Sequence, residues 1–396
     1  MSFGGYSLST LSNLCRREYS GSHAPKNTFY LFVPFTSLHP PLPSILHAAA
    51  VIFTDRRQPL RPPLPPPAFH SYYHYSSLHN SYASSDLVSE HPPFLRIYKD
   101  GRVERLAGTE TVPANGVISK DVIYSPEHNL SVRLFLPHKA TELVTGNNKL
   151  TLLIYIHGGA WLIGSPFSPI YHNFLTEVVR TANCLAVSIQ YRLAPENPVP
   201  AGYEDSWSVI QWILSHSNGS GPVDWINKHA DFNRVFLAGD SAGGNMAHHM
   251  AIRAGKEKLN ARIKGTAILH PAFWGKEPIH ELDVQDREAR RRVAEVWENL
   301  VSPNSVDGAD DPLFNVVGSG SDLSELGCEK VLVAVAGKDV FVRQGLGYAE
   351  KLKKSGWRGD VEVMEEEDED HCFHLLNPSS DNVPRFMNKF VEFITG

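Results

Sequence analysis

Two stretches of this chain, LTLLIYI (150–156) and VLVAVA (331–336), are almost continuously apolar. A strand with one solvated face alternates apolar with polar residues, so a continuous run indicates a strand that is buried on both faces. Strands of that kind belong to parallel sheets with helices on both sides. Further apolar runs of strand length lie at 131–136, 184–189, 234–238 and 266–269.

Helical patterns separate these runs. Apolar residues recur at helical spacing in Tyr203–Leu214, in Met246–Ala254 and in Val293–Leu300. Short buried strands that alternate with helices predict an α/β fold with a mostly parallel central sheet flanked by helices. We expect this domain to cover residues 86–396.

The composition argues against several functional classes. The formal net charge of the 396 residues is -6, a mild acidic balance that argues against nucleic acid as a partner. No apolar run approaches the ~20 residues of a membrane helix, so we expect no membrane span. The cysteines lie far apart without a CxxC pair, which argues against a disulfide scaffold and indicates a reducing compartment. They are Cys15, Cys184, Cys328 and Cys372.

Residues 1–85 have a different composition from the rest. They are rich in Ser, Pro, His and Tyr, and Glu18 and Asp55 are the only acidic residues, against six Lys and Arg. The run RPPLPPPAF (61–69) predicts an extended polyproline linker. We expect a disordered, low-complexity extension whose composition is typical of an organelle transit peptide. Localisation would then be a plastid or another organelle; an untargeted tail on a cytoplasmic protein is the alternative.

The run FLAGDSAGGN (236–245) places Ser241 between two glycines, after an apolar strand and before a helical pattern. GDSAG matches G-x-S-x-G, a sharp strand-to-helix turn on which a nucleophilic serine is exposed. The glycines leave room for the chain to close that turn. The alternative is an ordinary strand–helix turn whose serine caps the helix.

A nucleophilic serine needs a general base, and the base needs an orienting carboxylate. With this kind of turn, the acid and then the histidine follow the serine along the chain. Asp339 follows the buried strand that ends at residue 336, where an orienting carboxylate is expected; a turn-capping role is its alternative. His371 is the preferred base. Its alternatives are His374 and a metal site formed by the run HCFH (371–374).

Acyl transfer also needs hydrogen-bond donors for the oxyanion. The run IYIHGGAW (154–161) is a strand that ends in His157 and two glycines. Backbone amides of such a loop, together with the amide after the nucleophile, form the hole in this kind of site. We therefore predict a hole formed by Gly158, Gly159 and Ala242, with a structural role for His157. The run lacks GK[ST] and G-x-G-x-x-G, which argues against a phosphate-binding loop.

The acidic run EEEDED (365–370) directly precedes His371. Negative charge near an imidazole favours the imidazolium and raises its pKa. One hypothesis is therefore that part of this run lies near His371 and raises its pKa, with Glu366 and Asp368 as the residues whose replacement would test it. The alternative is a solvated loop without influence on the site.

These motifs resemble the plant carboxylesterases, in the hormone-sensitive-lipase-like branch of the α/β-hydrolases. PPFLRIYKDGRVERL (92–106), SIQYRLAPENPVPAGYED (188–205) and GKDV (337–340) extend the resemblance over residues 86–396. It implies an α/β-hydrolase fold with a helical cap formed by residues 86–110 and 275–315. It also implies a serine esterase that uses Ser241, Asp339 and His371 on a small-molecule ester, without a metal or organic cofactor.

Two alternatives remain within this resemblance. Some relatives are dehydratases or cyclases that use the same pocket for elimination, and others are gibberellin receptors in which the catalytic histidine is replaced. His371 is present here, which weakens the receptor hypothesis. The motif HGGA differs from the HGGG of many relatives, but alanine keeps its backbone N–H. The physiological substrate and the oligomeric state stay open.

Overall fold

A central eight-stranded sheet organises the protein in the computed structural model, which describes residues 86–115, 118–138, 140, 149–259, 262–280, 287–318 and 320–396. A separate three-stranded antiparallel sheet lies N-terminal to it in the chain and has the order β1-β2-β3. Its strands are β1 (Leu87–His91), β2 (Leu95–Tyr98) and β3 (Val103–Arg105). The strands of the central sheet are β4 (Ser119–Ser125), β5 (Leu130–Phe135), β6 (Leu150–Ile156), β7 (Leu185–Ile189), β8 (Ala230–Asp240), β9 (Ile263–Leu269), β10 (Cys328–Ala336) and β11 (Asp360–Glu366).

The central sheet has the order β11-β10-β9-β8-β6-β7-β5-β4. Pairing is parallel from β11 through to β7. It becomes antiparallel only at the β7–β5 and β5–β4 pairs. The carboxyl ends of the six parallel strands therefore meet at one edge of the sheet, which is where open α/β sheets bind their ligands.

Helices connect and cover these strands. They are α1 (Pro169–Ala182), α2 (Ala201–Leu214), α3 (Asp224–His229), α4 (Ala242–Lys256), α5 (Arg287–Val296), α6 (Val342–Lys354), α7 (Phe373–Leu376) and α8 (Val383–Thr395). A π-helical turn, Trp297–Val301, continues α5. Within the described parts of the chain, no helix has the length and apolar character needed to cross a membrane.

The sheet is buried on both faces, as the continuous apolar runs predict. All seven residues of β6 are buried. Leu152 and Ile154 belong to one hydrophobic cluster, with the apolar faces of α2, α4 and α6. Leu153 and Tyr155 belong to a second cluster on the other face, with α1, α7 and α8. The α/β prediction is confirmed, and the six predicted strands correspond to β5–β10.

Residues 86–110 differ from the prediction, because this segment forms β1–β3 rather than a helical part of a cap. Arg105, the last residue of β3, attaches the small sheet to the central domain. Its guanidinium donates to the carbonyl oxygens of Leu162 (2.7 Å) and Ala194 (3.1 Å) and forms an ion pair with Glu196 at 2.7 Å. The predicted N-terminal extension, residues 1–85, lies outside the described residues.

The segment 275–315 contains α5 and the π-helical turn, so helical structure occurs there as expected. Trp297 is buried, and its ring stacks on Phe314 with the centroids 4.3 Å apart. The edge of Trp297 meets Trp161 at 5.1 Å. Because Trp161 closely follows the glycine pair after β6, this aromatic cluster joins the 275–315 segment to the loop at the carboxyl edge of the sheet.

Phe390 of α8 provides a test of the second hydrophobic cluster. Its side chain is fully buried and its ring stacks on Phe174 of α1 at 6.0 Å. We expect Phe390→Ala to lower the free energy of unfolding by about 3–5 kcal/mol in urea titrations. Val363→Ala, at a position 39% exposed on the edge strand β11, is the control and should cost less than about 1 kcal/mol. Equal losses in the two variants would contradict this packing.

Candidate active site

Ser241 lies in the tight turn between β8 and α4. Its backbone has φ 53° and ψ −119°, a left-handed region that non-glycine residues rarely adopt. A Cβ atom on Gly239 would overlap the carbonyl oxygen of Gly243, and a Cβ on Gly243 would overlap that of Ile156. The two glycines are thus required because backbone packs against backbone on both sides of the serine.

Hydrogen bonds hold this turn against the neighbouring strand. The amide of Ser241 donates to the carbonyl of Leu269, at the end of β9, at 2.8 Å. The carbonyl of Ser241 accepts from the amide of Ala272 at 3.0 Å. The strained backbone is therefore fixed by the loop after β9.

The structure brings Ser241, His371 and Asp339 together from the carboxyl ends of three strands. Ser241 Oγ lies 2.9 Å from His371 Nε2, and His371 Nδ1 lies 2.6 Å from Asp339 Oδ2. The second carboxylate oxygen of Asp339 accepts from the amide of Phe341 at 3.0 Å, which fixes the carboxylate. In this arrangement Nδ1 donates to Asp339, and Nε2 is free to accept the hydroxyl proton of the serine.

Burial and charge act in opposite directions on His371. Burial lowers the pKa of its imidazole, whereas the Asp339 carboxylate raises it, and Asp240 and Asp370 add to that effect. The net result is a pKa above the ordinary value of 6.5. The acidic run does supply one of these carboxylates, but it is Asp370.

Glu366 and Asp368 were the residues expected to act on His371, and the structure gives them other roles. The carboxylate of Glu366 is buried and pairs with Arg385 at 3.1 Å. Asp368 is exposed, and its main-chain oxygen accepts from Lys338 at 2.6 Å. Neither is among the carboxylates that raise the pKa of His371, so the hypothesis needs this correction.

The other candidate histidines have different surroundings. His374 is buried, its ring stacks on Phe386 at 4.2 Å, and burial lowers its pKa to about 3. His157 donates from Nδ1 to the carbonyl of Gly158 at 2.8 Å and stacks on Tyr191 at 4.3 Å. Burial lowers the pKa of His157 to about 4. Both rings are therefore neutral near pH 7, and both pack as core residues.

No group of three potential ligands for a metal ion, drawn from His, Cys, Asp and Glu, occurs among the residues that the structure describes. Three of the cysteines, Cys184, Cys328 and Cys372, are buried free thiols. Cys15 lies outside the described residues.

Arg192 and Asp205 form an ion pair within the domain. The amide, Nε and Nη2 of Arg192 all donate to the Asp205 carboxylate, at 2.9, 2.8 and 2.7 Å. Asp205 is 5% exposed. This bidentate contact gives the pair a structural role within the domain.

The predicted oxyanion hole needs one correction. The amide of Gly158 donates to Tyr171 Oη at 3.0 Å and to Asp240 Oδ1 at 3.1 Å, so it is not available to an oxyanion. Within the described chain, nothing accepts from the amides of Gly159 and Ala160. Ala242 is the first residue of α4, so its amide has no partner inside the helix. The available donors near the serine are therefore Gly159, Ala160 and Ala242.

Sequence reasoning overlooked Ala160 and Asp240. Ala160 has a positive φ of 56°, a backbone conformation that the motif HGGA does not predict for an alanine. Asp240 is 2% exposed although it carries an acidic side chain. The available signal was its position between an apolar strand and the serine, where a charged residue is unexpected.

The chain is similar to known proteins in both sequence and fold. The chain matches the family model described as alpha/beta hydrolase fold over residues 153–375. It is 76% identical over 321 residues to "Probable carboxylesterase 4, mitochondrial" of Arabidopsis thaliana, a match that covers 80% of this chain and 86% of that protein. It is 41% identical over 324 residues to 2-hydroxyisoflavanone dehydratase of Glycyrrhiza echinata, which covers 78% of this chain and 97% of that protein.

A solved structure is also similar. It comes from a structural analysis of two fungal esterases from Rhizomucor miehei, with a TM-score of 0.58 and 22% identity. The match covers 70% of this chain and 82% of the fungal chain. This likeness shows the shared fold.

The charge around His371 predicts a pH dependence. Any reaction that needs the neutral imidazole is lost as the pH falls through a pKa that is raised above 6.5. Asp370→Asn removes negative charge, lowers that pKa and should shift the acidic limb of the pH–rate profile to lower pH. Asp368→Asn, a matched change in the same acidic run, should leave the limb in place. An unmoved limb in the Asp370 variant would exclude a role for this carboxylate.

Proposed function

The chain belongs to the plant carboxylesterase family of the α/β-hydrolase fold, and from this premise we propose that it is a serine carboxylesterase acting on small carboxylic esters. The observation that carries the proposal is the continuous series of hydrogen bonds from Ser241 through His371 to Asp339, at 2.9 and 2.6 Å. A hydroxyl, a base and an orienting carboxylate in this order are the parts that acyl transfer requires.

The first half of the reaction acylates the serine. Ser241 Oγ forms a bond to the ester carbonyl carbon while His371 Nε2 takes the hydroxyl proton. Asp339 holds Nδ1 as the donor and stabilises the imidazolium. When the tetrahedral intermediate collapses, the alcohol leaves with the proton from Nε2. The acyl group is then bound to Ser241.

The second half releases the acid. Water gives its proton to His371 Nε2 and adds to the acyl carbon, and collapse of the second intermediate returns that proton to Ser241 Oγ. The amides of Gly159, Ala160 and Ala242 are the donors that we assign to both oxyanions. Loss of one such donor typically lowers the rate by about 10²–10³.

We assign the cap over the site to the segment 275–315 and, in β rather than helical form, to residues 86–110. The assignment of the 275–315 segment is supported by Trp297, which packs on Trp161. Trp161 directly follows Ala160, a proposed oxyanion donor. The base has apolar surroundings as well, because the ring of Phe341 lies 5.4 Å from that of His371. Such surroundings exclude water and strengthen the hydrogen bonds to the oxyanion.

Elimination is a second candidate reaction, because a relative with 41% identity is named a dehydratase. Both reactions would use the same pocket, and they differ in product. Dehydration releases water and leaves a C=C bond, whereas ester hydrolysis consumes water and produces an acid and an alcohol.

We also propose that residues 1–85 direct the protein to an organelle. Their Ser-rich, basic composition supports this, as does the word "mitochondrial" in the name of a 76% identical relative. A fusion of residues 1–85 to a fluorescent protein should enter mitochondria or plastids in plant cells. A variant in which Arg16 and Arg17 are both replaced by Glu is the control, because acidic residues are unfavourable in such leaders. A diffuse cytosolic signal from the unchanged fusion would contradict targeting.

Ester hydrolysis tests the catalytic assignment. We expect the full chain to hydrolyse p-nitrophenyl esters, acetate to octanoate, and we expect Ser241→Ala and His371→Ala to lower kcat by more than about 10³-fold. His374→Phe is the matched control, because this ring packs in the core and should retain most of the activity. Wild-type activity in Ser241→Ala would refute the proposal. A folded wild-type protein that does not hydrolyse esters would favour elimination.

A further inference from the structure

One buried carboxylate, that of Asp240, contacts the loop of the proposed oxyanion hole and the residue after the catalytic base, although it is not a member of the triad. Asp240 precedes Ser241 at the end of β8. Its Oδ1 accepts from Tyr155 Oη at 2.8 Å and from the amide of Gly158 at 3.1 Å. Its Oδ2 accepts from Tyr171 Oη at 3.1 Å, and the Cys372 thiol approaches it at 3.8 Å.

These donors come from four different parts of the fold. Tyr155 lies in β6, Gly158 in the loop that carries the free amides, Tyr171 in α1, and Cys372 beside the catalytic base. A Cβ on Gly158 would overlap the Asp240 carboxylate. The loop backbone therefore rests directly on this carboxylate, and only Gly159 lies between the contact at Gly158 and the amide of Ala160.

Burial raises the pKa of the Asp240 carboxyl, whereas the hydrogen bonds from Tyr155, Tyr171 and Gly158 favour its charged form. The residue is 2% exposed, and none of the ion pairs in the described part of the chain includes it. A buried carboxylate without a cationic partner destabilises a fold unless hydrogen bonds compensate for lost hydration. All four neighbouring groups are donors, so both oxygens of Asp240 accept hydrogen bonds, whereas an asparagine would turn its NH2 group toward another donor.

A positive charge does arise near Asp240 during the reaction. His371 becomes an imidazolium when it takes the serine proton, and Asp240 is among the carboxylates that favour that charged form. The same carboxylate thus holds the loop that carries the oxyanion donors and contacts Cys372, the residue directly after the base. The charges of the oxyanion and the imidazolium exist only in the tetrahedral intermediates and in the transition states that lead to them.

We propose that Asp240 is a positioning residue for catalysis: its carboxylate holds the Gly158 backbone so that the next amides face the oxyanion, and its charge stabilises the imidazolium of His371. This inference rests on the proposed function for the roles of Ser241 and His371. Asp240 thus has a role in catalysis as well as a place in the tight turn.

The test uses phosphonylation of Ser241 by an alkyl fluorophosphonate, in which Oγ displaces fluoride and His371 takes the proton. This readout needs no ester substrate. The rate constant is measured on the full chain between about pH 5 and pH 8, where histidine changes charge. We expect Asp240→Asn to lower the rate about 10²-fold, as for loss of an oxyanion donor. Its acidic limb should also shift to lower pH, because the imidazolium loses a stabilising charge.

Two further variants separate the possible causes. Gly158→Ala pushes the loop away from the carboxylate but keeps the charge, so its rate should fall while the acidic limb stays in place. Asp205→Asn removes another buried carboxylate, one that binds Arg192. It should lower the melting temperature without moving the limb. Melting curves and far-UV circular dichroism establish which variants are folded.

Folded Asp240→Asn with the wild-type rate and an unmoved limb overturns the proposal. If Asp240→Asn does not fold, a wild-type rate in folded Gly158→Ala overturns it. A wild-type protein that is labelled at Ser241 but does not hydrolyse esters contradicts the proposed hydrolysis, and the comparison of labelling rates still tests Asp240.

Discussion

The close approach of two backbones at Ser241 is the constraint on which the rest of the site depends. β8 and α4 meet so tightly that Gly239 and Gly243 have no space for a side chain. The serine between them adopts a positive φ that its own side chain disfavours. A turn of this kind is stable only when rigid surroundings over-determine it. Here the parallel sheet provides them, through the hydrogen bonds to Leu269 and Ala272.

The same sheet explains why residues far apart in the sequence form one site. Parallel strands place all their carboxyl ends at one edge, so the loops after β8, β10 and β11 are neighbours in space. Three carboxylates raise the pKa of the His371 imidazole from different environments. Asp339 contacts it directly at 2.6 Å, Asp240 lies in the core, and Asp370 belongs to a partly exposed loop. Solvent screens the last of these most, because its environment has the highest dielectric constant.

Most strands of the central sheet and the residues Ser241, Asp339 and His371 were predictable, because burial and the order of catalytic groups leave clear sequence patterns. The continuous apolar run of β6 identified a strand buried on both faces, and the order of Ser, acid and His selected three residues that the fold brings together. The edge strand β4 was missed because it shows no clear alternation of apolar and polar residues, and its apolar Ile123 is 56% exposed. The role of Gly158 was wrong because sequence identifies a glycine pair but not which amide a buried carboxylate engages.

The attachment of β3 to the central domain bears on the proposed leader, because it limits where such a leader could be removed without loss of contacts. Arg105 bonds to the carbonyl of Leu162, three residues beyond the glycine pair, and to the 194–196 segment. A protease that removed a leader at any point up to Asp86 would leave this anchor intact. Cleavage beyond β3 would release the loop next to the site from one of its supports. If residues 1–85 are the leader that we propose, the contacts of Arg105 predict that cleavage occurs before β1 and that β1–β3 stay with the central domain.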